Sequence, residues 1–516
     1  MMALANAGPA WRLGDLLGGL VDLEPRRPPL EDRRISSLTL DSRTLAPGAL
    51  FMARQGSRVH GLAFAEEVKR CGATAILAEI GESWSRTDIE YLNDRLGLPV
   101  IPVDGLGDRL SAIADRFHGV PSARLEVLGV AGAPGKATLG HLLAQALDTE
   151  QASALVGRLG IGFPDDLHAW PEAEQDPLRL QWTLDDLAGR GAKSVILELR
   201  SDPATRSRVA AVRFSHLVLA NVTGGDPSAL TAVVRDLALL PDSGRVVSSL
   251  DDPDSGAILA ALPPTVSATV HSARPDARKP ARCDFLLRAT AIETLPLGLR
   301  LNLECVGEDD IEQASVDVGL IGRSSASNLL AVLAVLRSRG ASLERAARVL
   351  SRLRGAPGRM ECFGGEGAPL VVVDSARTPE AVERALTDLR LHARRRLFCV
   401  LGCGGREDVG RRPRLGAIAE RLCDGLILTD DNPRGEPGEA IIADILAGVA
   451  APEAVRVERQ RGLAIRLAIA LAGTGDAVLV AGKGHETLQD MGDLKVHFSD
   501  RAQVVEALRE WQEGHH

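Results

Sequence analysis

Aromatic side chains are scarce in this 516-residue chain, making up 3% of it with a single tyrosine. A base-stacking surface of the kind that grips single-stranded nucleic acid is therefore not expected. The net charge of −9 also lacks the basic excess that a nucleic-acid partner needs, though it leaves room for a local basic pocket. Seven cysteines, Cys71, Cys283, Cys305, Cys362, Cys399, Cys403 and Cys423, are scattered without a CxxC pair. The odd count and the spacing argue against a disulfide framework or a zinc ribbon, and read as reduced core thiols of a cytosolic protein. No apolar run approaches the ~20 residues that span a bilayer. No basic region followed by an apolar stretch marks a secretory signal. The expectation is a cytoplasmic protein with no membrane insertion and no nucleic-acid partner.

What is present is ordinary for a globular chain: 45% hydrophobic and 25% charged residues, in a length that suits roughly two to four domains. The chain is organised around Val130-Ala-Gly-Ala-Pro-Gly-Lys-Ala-Thr138. An apolar run, Leu125 to Val130, precedes it and reads as a buried parallel strand. Leu139 to Leu147 follows with helical periodicity. Strand, glycine turn, lysine and helix start together describe a phosphate-binding loop. Gly132 and Gly135 let the backbone approach a polyphosphate, the helix start turns N–H groups toward it, and Lys136 adds a point charge. The hydroxyl that normally follows the lysine and ligates Mg²⁺ is replaced by Ala137, and Pro134 removes a backbone donor. A tight strand-to-helix turn without nucleotide is the other reading of the same residues.

Residues 1–122 form a first α/β unit. It is marked by Leu38-Thr-Leu-Asp-Ser-Arg43, by Pro47-Gly48 and by the strands Ala49 to Ala53 and Ala73 to Ala78. Taken alone, Asp41-Ser42-Arg43 reads as a turn. Residues 123–355 form a second unit. Its strand Ser194 to Leu199 carries Glu198 at its end, either a metal-side carboxylate or an exposed strand tip. Another strand, His216 to Val222, runs into Thr223-Gly-Gly-Asp226, and Asn328 sits in the first turns of a helix that opens near Gly322. Residues 356–516 form a third unit. Four strands in it end in polar, mostly glycine-bearing loops, at Asp374, Gly402-Cys-Gly-Gly405, Asp431-Asn-Pro-Arg434 and Gly482-Lys-Gly-His-Glu486. Four such loops on one edge of a doubly wound sheet indicate a ligand-binding edge.

These motifs resemble those of the Mur ligase family along the whole chain, most closely its diaminopimelate-adding branch. Gly402 to Gly405, Arg411-Arg-Pro413, Asp431 to Arg434, Ala481-Gly-Lys-Gly-His-Glu486, Gly358-Arg-Met-Glu361, Asp41-Ser-Arg43 and Pro47-Gly48 stand in family order. The resemblance implies a UDP-sugar-binding domain, a central P-loop-type ATPase domain and a C-terminal Rossmann-like domain. It implies an ATP- and Mg²⁺-dependent amide ligase of peptidoglycan synthesis, joining diaminopimelate to UDP-N-acetylmuramoyl-L-Ala-D-Glu through an acyl phosphate. By position, Leu40, Ser42, Ser57, Arg58, Val59 and Arg208 would contact the UDP-sugar. Gly132, Gly135, Lys136, Thr138, Asn328, Arg359 and Asp374 would hold ATP, with Lys136 and Glu198 catalytic and Glu198 on the metal. Asp431, Asn432, Pro433, Arg434, Gly482 and Glu486 would hold the amino acid. Arginine for carboxylate and glutamate for ammonium suit a zwitterion.

The departures from the family pattern cluster around one centre. Gly-Thr-Asn-Gly-Lys-Thr-Thr becomes Gly132-Ala-Pro-Gly-Lys-Ala-Thr138, and Glu-x-Ser-Ser-His becomes Glu198-Leu-Arg-Ser-Asp202. The family's carbamylated lysine for a second Mg²⁺ has no counterpart, because no lysine lies between Lys193 and Lys279. Val234 and Arg235 stand near its place. Asp-Tyr-Ala-His becomes Asp374-Ser-Ala-Arg377, Gly-x-Phe-Asn becomes Gly322-Arg-Ser-Ser325, and a substrate-facing arginine aligns with Glu407 beside Arg406. Each lost electrostatic group removes on the order of 10²-fold in rate. Three readings follow: a ligase whose activity is reduced or lost, a pseudo-ligase that binds a wall precursor or another Mur protein, and a ligase redirected to another substrate.

Overall fold

The computed structural model describes residues 10–515 except 24–29, 57, 133–134, 170–175, 201–203 and 221–226. Three main sheets carry the architecture, and no sheet crosses residue 355 among the described residues. The first has four parallel strands, Ser37–Thr39, Ala49–Ala53, Ala75–Glu79 and Val100–Val103, in that order. Asp41 accepts the Arg43 N–H and opens a short 3-10 turn over Ser42–Thr44, as a turn-forming aspartate does.

The second sheet has eleven strands. Its parallel centre runs Ser153–Gly157, Ser194–Glu198, Glu126–Gly132, Phe214–Ala220, Arg245–Ser249 and Ser267–Ser272. Leu128, Val130, Ile196 and Val218 enter one apolar core, while Val127, Ala131, Val195 and Leu217 enter another on the opposite face. Burial on both faces explains why these strands read as unbroken apolar runs. Beyond them Phe285–Leu295, Gly298–Val306 and Ile311–Val318 form an antiparallel wing.

The third sheet has six strands in the order Glu361–Gly364, Leu370–Asp374, Ala477–Ala481, Leu397–Leu401, Gly425–Leu428 and Arg456–Val457. All pairs except the first are parallel. The four polar loops therefore leave adjacent strand ends on one edge. Across the 355 junction, Asp388 and His392 reach the start of the helix Arg323–Ser338. Asp388 accepts from Arg323 N and Ser324 Oγ, and His392 Nε2 accepts the Gly322 N–H. The thiol expectation needs one correction. All seven cysteines are free, but Cys71 is exposed, because it closes the surface helix Ala65–Arg70 instead of entering a core.

The central sheet contains a pH-sensitive position. His271 is 1% exposed, its ring nitrogens have no hydrogen-bond partner, and burial pushes its pKa down to about 4. A depressed histidine contributes stability that is present above the unfolded value near 6.5 and is lost as pH falls toward the folded value. Buried Asp236 and half-buried Asp115, both raised to about 6, act in the opposite direction. A comparison of variants isolates the histidine. The stability advantage of His271→Leu over the unsubstituted chain should widen by about 1.4 kcal/mol per pH unit below pH 6.5. Thermal unfolding of both proteins between pH 7 and 5 measures it, and a constant difference would refute it.

Candidate active site

The central strand Glu126–Gly132 delivers its end between Glu198 and Ala220, whose strands flank it. Gly132 has φ +112°, and a Cβ there would lie 2.0 Å from the Ala220 carbonyl oxygen, so only glycine makes this turn. Gly135, also left-handed, caps the helix Lys136–Asp148. Ala133 and Pro134 lie outside the described residues. Lys136 Nζ turns back and donates to the Gly132 carbonyl at 2.6 Å. Burial lowers the Lys136 pKa, Glu198 and Asp236 oppose that shift, and Arg158 and Arg200 add to it. Ala137 is buried, and Thr138 is half-buried one residue further into the first turn.

Glu198 is half-buried, and its Oε2 accepts the Arg158 N–H at 2.9 Å. Ser201 and Asp202 lie outside the described residues, as do Asn221 to Asp226. Among the described residues, no group of three His, Cys, Asp or Glu side chains could hold a metal ion. Val234 is exposed and Arg235 half-buried on the helix Pro227–Asp236. Among the described residues, the donors around Lys136 suit a polyphosphate better than a two-metal centre: the Glu198 carboxylate is shared with the Arg158 N–H, Ala137 stands where the hydroxyl would be, and no lysine lies between Lys193 and Lys279 to carry a carbamate.

The third sheet's edge comes within electrostatic reach of Glu198 and Arg158 through Arg359. Asp374 accepts from Met360 N and Ala376 N, both at 2.8 Å, and so fixes the turn that carries Arg359. Burial raises its pKa against the pull of Met360 and Arg359. Burial also lowers the pKa of Arg359, whose Nε is buried without a hydrogen-bond partner. Asn328 is half-buried in the second turn of the helix Arg323–Ser338.

The edge that the resemblance assigns to the amino acid is packed backbone against backbone. A Cβ on Gly405 would lie 1.8 Å from the Pro433 carbonyl oxygen, and Gly405 N donates to the Asn432 carbonyl at 2.8 Å. Arg412, fully buried, binds Glu436 and Asp444 at 2.7 to 2.8 Å and pulls Glu436 down to about 2. Asn432 Oδ1 accepts from Lys483 Nζ and Asp490 N, and its Nδ2 donates to Glu486. Gly482 lies against the Asp431 carboxylate, which is 2% exposed and 4.0 Å from Lys483 Nζ.

Arg434 and Glu486, which the resemblance assigns to the ligand, both have internal partners. Arg434 Nη1 donates to Glu407 Oε1 at 2.9 Å, and Glu407 also pairs with Arg411. Arg406 turns away with φ +58° and donates its N–H to Glu436. Glu486 accepts from Arg377 Nη2, while Arg377 Nε donates to the Gly482 carbonyl at 3.0 Å. Burial alone would raise the Glu486 pKa, but Arg377, Asn432 and Lys483 outweigh it and hold it low.

On the first unit, Ser42 is buried, Leu40 half-buried, and Arg58 and Val59 exposed. Ser57 lies outside the described residues. The Arg208 carbonyl accepts Ser111 Oγ at 3.1 Å, which ties the central unit to the first. Sequence reasoning missed Arg158, whose signal is an arginine placed directly after a buried strand. It also missed Asp236, an acid closing an amphipathic helix beside Lys136.

Comparison with known proteins identifies this arrangement. Residues 34–118 match the Mur ligase family catalytic domain, and residues 358–484 match the Mur ligase glutamate ligase domain. The chain belongs to the Mur ligase family. Within that family it is MurE-like. It is 40% identical over 487 residues to the UDP-N-acetylmuramoyl-L-alanyl-D-glutamate--2,6-diaminopimelate ligase of Xanthomonas campestris pv. campestris, covering 92% of this chain and 94% of that protein. It is 40% identical to the ligase of the same name from Alkalilimnicola ehrlichii, over 98% of this chain and 99% of that one. A solved structure of a ligase with that name superposes with TM-score 0.66 at 25% identity, over 98% of this chain and 99% of that one. The MurF ligase of Thermotoga maritima, solved in complex with ADP, shares the fold with TM-score 0.58 at 18% identity, over 93% and 98%. No described helix is long and apolar enough to cross a membrane.

Proposed function

We propose that this chain acts in peptidoglycan-precursor synthesis with a MurE-type division of labour and suppressed turnover. Residues 1–122 receive UDP-N-acetylmuramoyl-L-Ala-D-Glu, residues 123–355 receive ATP, and residues 356–516 form the diaminopimelate edge. Ligation is slow or lost. The observation that carries this reading is the internal pairing of Arg434 with Glu407 and of Glu486 with Arg377. A zwitterion must displace both pairs before it can seat, and among the described residues the polyphosphate end offers no cluster of acidic, His or Cys donors for a metal. A catalyst of acyl phosphate formation depends on prepositioned cations at the developing charge.

The test is turnover by the purified full-length chain with ATP, Mg²⁺, the UDP-dipeptide and diaminopimelate, read as ADP release and tripeptide product. The Pseudomonas aeruginosa relative, 39% identical over 496 residues, serves as the parallel control. The expected rate is at least about 100-fold below the control; comparable rates would refute suppressed turnover. A second reading is a precursor-binding or regulatory protein of cell-wall synthesis, with other Mur proteins as partners. The confinement of the departures to the catalytic centre and the amino-acid edge supports it, because Asp41-Ser-Arg43 and Pro47-Gly48 persist. A UDP-dipeptide titration that gives binding without turnover separates the two.

A further inference from the structure

We propose that the pocket at the Gly132 turn binds polyphosphate without a divalent cation, with Arg158 and Arg359 supplying the positive charge in place of metal ions. The inference rests on the nucleotide half of the proposed function and not on its suppressed turnover. Three features carry it. First, metal donors are lacking among the described residues: Ala137 has no hydroxyl, Val234 and Arg235 stand where the resemblance expects a lysine, and Glu198 shares Oε2 with the Arg158 N–H.

Second, cations gather where those donors are lost. Lys136 donates to the Gly132 carbonyl and Arg158 follows the strand Ser153–Gly157 with its N–H on Glu198, while the charges of Arg158 and Arg200 lower the pKa of Lys136 and that of Arg158 lowers the pKa of Arg359. Arg158, held by its N–H on Glu198 at 2.9 Å, lowers the pKa of Lys136 on the central unit and of Arg359 and His485 on the third. Third, a buried guanidinium donor beside the third sheet's edge has no hydrogen-bond partner. Arg359 Nε, always a donor, is buried without a hydrogen bond, and the neighbouring turn at Gly358 packs directly on the His485 backbone N. A buried donor without an acceptor is unfavourable, and a phosphate oxygen supplies that acceptor. Guanidinium groups neutralise a phosphate chain through fixed, planar N–H donors, which a metal ion does with coordination bonds.

The experiment is calorimetric titration of the full-length chain with ADP, ATP and inorganic tripolyphosphate, once in EDTA and once in MgCl₂. The expected affinities in the two buffers agree within about threefold. Arg158→Ala should weaken tripolyphosphate about tenfold or more in EDTA, and Arg158→Lys should retain most of the binding. Arg359→Ala serves as the second variant, and circular dichroism confirms that each variant is folded. Binding that appears only with Mg²⁺, or that neither alanine variant weakens, overturns the proposal and leaves nucleotide binding intact. No binding in either buffer overturns both the proposal and the nucleotide half of the proposed function.

Discussion

Diaminopimelate should bind the Glu407→Arg, Arg377→His double variant at least about 30-fold more tightly than the unsubstituted chain. In the native chain, Glu407 occupies Arg434 and Arg411, and Arg377 occupies Glu486. Each pair is half-buried, so a ligand carboxylate or ammonium must break a desolvated contact to make its own. Breaking one such pair costs roughly 2–5 kcal/mol. Arginine at 407 would leave a cluster of guanidinium groups around a vacant carboxylate position, and histidine at 377 would release Glu486 Oε1. Glu407→Gln alone removes one competitor and should give an intermediate gain. Ligand titration of the three proteins decides the matter. Unchanged affinity across the series would mean that the amino acid does not use Arg434 and Glu486.

Asp500→Ala should destabilise the C-terminal unit by about 3–5 kcal/mol. Arg461 and Asp500 are both 0% exposed and form two hydrogen bonds at 2.7 Å, and Arg461 also donates to the Ala481 carbonyl at 2.9 Å. These residues open the helices Arg461–Leu471 and Asp500–His515, so one pair fixes both helices to the end of the central strand. Removing the carboxylate leaves a buried guanidinium offset by the more distant charges of Asp431 and Glu486. Asp500→Asn keeps an acceptor and should lose less. Urea unfolding followed by a probe in the third unit measures both, and a loss below about 1 kcal/mol for Asp500→Ala would contradict the assignment.

The architecture was legible wherever a strand is buried on both faces. The runs at Leu128 to Val130, Val195 to Leu197 and Val371 to Val373 are apolar throughout, and each ends at a residue whose chemistry stands out. The antiparallel wing was passed over, although Leu299, Leu301, Leu303 and Cys305 alternate with polar residues in a two-residue period. The state of the amino-acid edge could not be read. Glu407 and Arg434 are 27 residues apart, and Arg377 and Glu486 are 109 apart. Motif comparison identified Glu407 and Arg377 as separate departures. Only the adjacency of the strand-end loops shows that each substitution finds its partner among the residues that remained.

The contact between the third unit and the helix Arg323–Ser338 has a mechanical consequence. His392 Nε2 accepts from Gly322 N while its Nδ1 faces the Leu295 carbonyl at 2.9 Å, so the ring is a neutral tautomer that bridges two strands of chain. Asp388 holds the next two groups of the same helix start. On the opposite end of the junction, Gln145 clasps Arg354 through both its amide atoms. The third unit is thus tied to the central one by side-chain bonds at Gly322 to Ser324 and at Leu295, while Gln145 holds the start of the connecting segment at Arg354. Any swing of the C-terminal unit must pivot about these ties or shear them, and Ile321 and Leu297, packed into the third unit's own core, would have to leave it in the second case.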